Sequence, residues 1–171
     1  MDVRQMVDFH HQNSAHVSVA AIPVPLNEAS AFGIIDTSPD GRIKGFLEKP
    51  QSPPPMPSDP SRAYGSLGTY LFDTDVLLSA LYDARKRNEH DFGGNILPRL
   101  IHSHRVFAYN FADNRVPGVN SYEEQPYWRD VGTVDAFHTA NLDVLGDRPR
   151  YAPLCPHDRL HTCGEGLIEK G

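Results

Sequence analysis

The sequence predicts an α/β layered domain on three observations. Residues 16–24 and 64–72 are rich in β-branched and aromatic residues, a helical stretch follows the second of them at 74–87, and such strands and helices alternate along the chain. Asp2 stands before Val3, Met6, Val7 and His10 at helical spacing, which predicts an N-capped amphipathic helix at the start. His16 to Val24 (HVSVAAIPV) is bounded by Pro23 and Pro25 and reads as a buried strand. Ala31 to Asp36 and Gly41 to Glu48 flank a Ser38-Pro39-Asp40-Gly41 turn, the pattern of a hairpin. Residues 50–60 hold six prolines and predict an extended loop, of the kind a proline-reading module can also bind.

Tyr64 to Phe72 (YGSLGTYLF) predicts a strand with two internal glycines, a mark of close backbone approach. Asp73 or Thr74 can cap a helix that runs to about Arg87, whose basic end, Arg85-Lys86-Arg87, suits the negative pole of the helix. A helix from about Asn95 to His102 tolerates Pro98 in its first turn. Val106 to Phe111 and, more briefly, Trp128 to Val131 read as strands. Thr133 then caps a helix through Val144 or Leu145.

A chain of 171 residues, 39% hydrophobic and 22% charged, suits one domain with its own core. The formal net charge of −6 and the lack of a Lys/Arg run argue against a general nucleic-acid binder. No apolar stretch approaches the roughly 20 residues of a membrane span, and MDVRQMVDFHHQ lacks the apolar centre of a signal peptide, so a cytoplasmic protein is expected. Cys155 and Cys163, the only cysteines, are too few and too local to staple the fold. Together with His157 and His161 they can ligate Zn²⁺ in principle, but their spacing matches no zinc finger.

Four stretches carry candidate chemistry. Glu48-Lys49-Pro50 sets a carboxylate and an ammonium where a strand leaves the sheet, either as a solvated turn or as a phosphate-binding point charge. Gly65-Ser66-Leu67-Gly68 places a hydroxyl between glycines, in a kinked strand or beside a ligand. Asp91 in His90-Asp91-Phe92-Gly93 can satisfy the amides of a helix start. Asp130, in Trp128-Arg129-Asp130-Val131-Gly132-Thr133, is either structural or a Mg²⁺ ligand close to a strand end.

Taken in order, Pro23-Val24-Pro25, Glu28-Ala29-Ser30-Ala31-Phe32-Gly33, Glu48-Lys49-Pro50, Ser58-Asp59-Pro60, Gly65-Ser66-Leu67-Gly68, His90-Asp91-Phe92-Gly93 and Tyr127 to Thr133 closely resemble the bacterial ADP-glucose pyrophosphorylase (glucose-1-phosphate adenylyltransferase) family. The resemblance covers about residues 1–150. It implies a Rossmann-like nucleotidyltransferase fold, incomplete here, with residues 1–150 as the sugar-phosphate half of a catalytic domain and 151–171 as a divergent tail expected to be disordered. By the same resemblance, Glu48 would hydrogen-bond glucose hydroxyls and Lys49 would bind the phosphate of glucose 1-phosphate. Gly33 and Ser66 would line that pocket, and Tyr70, Asp91, Phe92 and Trp128 would complete or support it. Asp130 would be one of two Mg²⁺-binding aspartates. The reaction implied joins glucose 1-phosphate to ATP, giving ADP-glucose and pyrophosphate for glycogen or starch synthesis.

The family's glycine-rich nucleotide loop, its second metal-binding aspartate and its C-terminal β-helix find no match in the sequence. The chain is therefore expected to be a truncated piece, inactive or nearly so alone, marginally stable, and prone to self-associate or to dock on an intact subunit. Sister enzymes using UTP, CTP or dTTP remain the alternative, as does a non-catalytic hexose-phosphate-binding or subunit-interaction module.

Overall fold

The computed structural model describes residues 1–152. These form two compact units, Arg4–Phe111 on the one hand and Met1–Val3 with the segment from Ala112 on the other. The tail read from the sequence, with Cys155, His157, His161 and Cys163, lies outside the described residues.

The larger unit is built on a five-stranded sheet: β1 (Val17–Pro25), β2 (Gly33–Thr37), β3 (Ile43–Glu48), β4 (Arg62–Phe72) and β5 (Val106–Asn110), in the spatial order β3-β2-β4-β1-β5. Only β1 and β5 run parallel; the other neighbours are antiparallel, so the incomplete Rossmann-like fold carries a mostly antiparallel sheet. β1 lies between β4 and β5, and its first five residues are all buried, as a strand covered on both faces requires. Val17, Val19 and Ala21 point to one face. There they pack with Ala80 and Ala84 of α2 (Thr74–Arg87) and with Leu97, Leu100 and Ile101 of α3 (Leu97–Ser103). Ser18, on the opposite face, has its hydroxyl 2.9 Å from Nδ1 of His10, which lies on the helix α1 (Val3–Gln12). A smaller cluster of Val24, Ala29, Ile34 and Ala63 closes the far end of β1.

The sheet edge at β5 is covered. Ala108 donates its amide to the Gly41 carbonyl at 3.0 Å, and Arg42 bridges Phe107, so the turn of the β2–β3 hairpin lies along the outer side of β5. Gly41 has φ of +83°, a turn conformation that glycine adopts without strain.

Two predicted details change. Asp73 occupies the N-cap position of α2 but makes no side-chain cap bond. Its carboxylate faces His10 Nε2 at 3.2 Å instead, tying the start of α2 to α1. The helix expected from Asn95 is preceded by a wide turn over Phe92–Ile96, because Asp91 accepts the Gly94 amide at 2.6 Å and opens the helix early.

The smaller unit contains α4 (Val134–Leu142), capped as predicted by Thr133, whose hydroxyl accepts the Ala136 amide at 3.1 Å. The strand predicted at residues 128–131 does not form. That segment is held by side chains: Arg129 donates to both oxygens of Glu124, at 2.8 and 2.5 Å, and to Asp143 at 2.9 Å, while it covers the ring of Tyr127. Tyr127 in turn stacks on Tyr151 at 4.6 Å. Side chains also take up backbone groups here: the Trp128 carbonyl accepts from Arg129 Nη1 at 3.0 Å, and the Gly132 amide donates to Asp130 Oδ1 at 3.2 Å.

Candidate functional site

The predicted residues of the larger unit converge where β2, β3 and β4 meet the loop before α3. Gly33 and Glu48 are register partners across the β2–β3 pair. A side chain at residue 33 would put its Cβ 2.9 Å from the ring of Phe46 and 3.2 Å from Glu48 Oε2, so glycine here is a demand of space. Immediately after Glu48 the backbone turns into the left-handed region at Lys49, with φ of +45°. The Lys49 amide donates to the Phe32 carbonyl at 3.1 Å, which pins this turn next to Gly33. Both charged side chains are then released to solvent: Lys49 Nζ lies 3.9 Å from Glu48 Oε1, and the two are 64% and 62% exposed. At that exposure the pair contributes little to stability, and its charges are available to a ligand.

Ser66 and Tyr70 come from β4, where the pairing with β1 is irregular between Val19 and Ala21. Gly68, at φ of +67°, lets the chain turn so that its amide donates to Ser66 Oγ at 3.3 Å. Burial pushes the Tyr70 phenol above its ordinary value; a hydrogen bond with Ser66 opposes this, and the charges of Asp91 and Glu48 add to it. Those four side chains therefore share one electrostatic neighbourhood. The Tyr70 ring stacks on Phe92 at 5.6 Å, and Phe72 meets the edge of Phe92 at 5.8 Å. Asp91 performs the helix-start duty read from the sequence: one oxygen accepts the Gly94 amide, and Asn95 Oδ1 accepts the Asp91 amide at 3.3 Å.

Chemically, this is one exposed ammonium beside a rim of carboxylates, a hydroxyl and an aromatic wall. Such a set recognises an anion joined to a polyhydroxylated body: the ammonium takes the anion, and carboxylates accept hydrogen bonds from hydroxyls. Sequence reasoning missed Phe46, because its part is visible only once Gly33 and residues 91–94 are brought to the same ring.

Trp128 and Asp130 lie in the smaller unit. Asp130 is exposed, and its Oδ1 accepts the Gly132 amide at 3.2 Å, which leaves Oδ2 without a donor among the described residues. No group of three or more His, Cys, Asp or Glu side chains is gathered to hold a metal among the described residues. One open carboxylate suits a cation such as Mg²⁺, which takes one or two protein carboxylates and completes its shell with water and phosphate.

The family model for nucleotidyl transferases matches residues 1–146. The chain belongs to the nucleotidyl transferase family. Its similar relatives include the glucose-1-phosphate adenylyltransferase of Thermodesulfovibrio yellowstonii, 53% identical over 150 residues that make up 87% of this chain and 36% of the relative. The enzymes of the same name from Anaeromyxobacter sp. and Nocardia farcinica are 48% and 44% identical, over 89% and 98% of this chain and 38% and 42% of their own lengths. This nucleotidyl transferase chain thus spans about two fifths of the length of the curated relatives it matches. No helix among the described residues is long and apolar enough to cross a membrane.

Proposed function

We propose that this chain supplies the sugar-phosphate side of a glucose-1-phosphate adenylyltransferase site. The observation that carries the reading is the convergence of Glu48, Ser66, Tyr70 and Asp91, with the exposed ammonium of Lys49 beside Glu48, in a member of the nucleotidyl transferase family. In this reading Lys49 holds the phosphate of glucose 1-phosphate as a point charge. Glu48 and Asp91 accept hydrogen bonds from the hexose hydroxyls, Ser66 lines the pocket floor, and the Tyr70–Phe92 stack walls the sugar. Gly33 keeps the floor open.

The reaction that the relatives' name describes transfers the adenylyl group of ATP to the sugar phosphate. A phosphate oxygen of glucose 1-phosphate attacks the α-phosphorus, a new P–O bond forms, the α–β bridging bond breaks, and pyrophosphate leaves. The residues described here do no covalent work in it; they orient the nucleophilic phosphate and hold its charge. Mg²⁺, when bound, would neutralise phosphate charge, with Asp130 as the carboxylate that holds it.

A thermal-shift titration of the purified chain with glucose 1-phosphate, with and without Mg²⁺ and ATP, tests the proposal. Glucose 1-phosphate should raise the melting temperature, and Lys49→Ala should abolish the shift. A wild-type melt that stays fixed up to saturating sugar phosphate sinks it.

A further inference from the structure

Phe46 lies outside the set of residues that the motifs pick out, yet it touches both halves of the site. An ideal Cβ at Gly33 would sit 2.9 Å from Phe46 Cζ and 3.0 Å from Cε1, and one at Gly93 would sit 2.9 Å from Cε1 and 3.1 Å from Cζ. The same ring edge is therefore pressed from two sides by two glycines that are far apart in sequence. Gly33 pairs with Glu48 across the hairpin, and Gly93 follows Asp91 by two residues. Phe46 also packs against the core cluster that includes Ile96 and Leu97. A methyl on either glycine would therefore have to push aside the partly buried ring or the glycine's own backbone.

We propose that Phe46 is a positioning residue. Wedged between Gly33 and Gly93, it sets the separation of the Glu48 and Asp91 carboxylates, and so the preference of the site for a hexose 1-phosphate over bare phosphate. This rests on the sugar-phosphate reading above. Phosphate is held by Lys49, beyond the strand end, and does not depend on the wedge. The hydroxyl contacts do, because they come from both of the elements that the ring keeps apart.

The test uses the full chain and its Gly93→Ala, Phe46→Leu and doubly substituted forms, with glucose 1-phosphate and inorganic phosphate as ligands, measured by calorimetry beside thermal melts. A methyl at residue 93 drives the loop off the ring, so Gly93→Ala should weaken glucose 1-phosphate about tenfold and leave phosphate within about twofold, with a cooperative melt. Trimming the ring makes room for that methyl, so the double variant should recover about threefold of the loss. If Gly93→Ala does not fold, Phe46→Leu alone carries the test, with the same selective loss expected. The wedge is overturned if glucose 1-phosphate binding is unchanged in these variants, or if both ligands weaken equally. It is likewise overturned if the double variant binds no better than Gly93→Ala. A wild-type chain that binds no glucose 1-phosphate overturns the functional reading, and the wedge's role with it, and that outcome is distinct from a wild type that binds while its variants are insensitive.

Discussion

Lys49 has a backbone conformation that L-residues rarely adopt, at φ of +45°, and it is the cation on which the proposed site depends. Residues held in this region cost of order 1 kcal/mol or more, and such costs gather at functional positions. Glycine would relieve the backbone and remove the charge together. Lys49→Gly should therefore melt at or above the wild-type temperature, by up to about 1 kcal/mol of added stability, while losing its response to glucose 1-phosphate. A variant that is both less stable and still responsive would show that the turn is not strained and that the ammonium is not the anchor. His16 makes a different residue-scale prediction. Partial burial, with help from Arg105 and His104 and against the pull of Asp73, holds its imidazole below the ordinary value. Its Nδ1 accepts the Arg105 amide at 3.0 Å, a bond only the unprotonated nitrogen can make. The folded state thus binds the proton less readily than the unfolded state. Its contribution is complete above about pH 6.5 and is lost as pH falls through the lowered folded value. Urea midpoints compared at about pH 7.5 and 5.5 should drop further in the wild type than in His16→Asn, and equal drops would remove His16 from the account.

At the scale of elements, α3 is fixed by one face. Leu97 is 1% exposed and meets the β1 and β3 side chains through the main core cluster, so Leu97→Ala should cost about 2–5 kcal/mol in denaturant unfolding. A loss below about 1 kcal/mol would mean that the helix repacks on the sheet. Elements whose evidence is local were legible in the sequence. The β-branched run at residues 16–24, the turn between β2 and β3, and the Thr133 cap each depend on residues within a few positions of one another. The strand expected at residues 128–131 failed because so short a run, Trp128 to Val131, is a strand only where a neighbour offers its backbone. Here Arg129 makes four hydrogen bonds, to Glu124, Asp143 and the Trp128 carbonyl, and the segment is fixed without one. Asp73 misled in the same way: capping residues are read from position, but its carboxylate was drawn away by His10, a partner 63 residues distant. The candidate site divides likewise. Motif residues such as Glu48, Ser66 and Asp91 could be named in advance, whereas Phe46 could not, since two glycines on separate elements define its part.

Across the whole molecule, the strand order departs most from the chain order at β5, the last strand to be made, which lies beside β1, the first. The hairpin β2–β3 is closed by neighbours in sequence, while the Ala108 amide reaches the Gly41 carbonyl only after everything between them has taken its place. Bonds that close over so long a stretch of chain form late, because the loop entropy must be met before the contact rewards it. That hydrogen bond makes Ala108 a clock for assembly. In pulse-labelling during refolding, the Ala108 proton should become protected after those of Ile34 and Leu47, the hydrogen-bonded pair of the hairpin, and in the native state it should exchange when β5 lifts away from the hairpin turn.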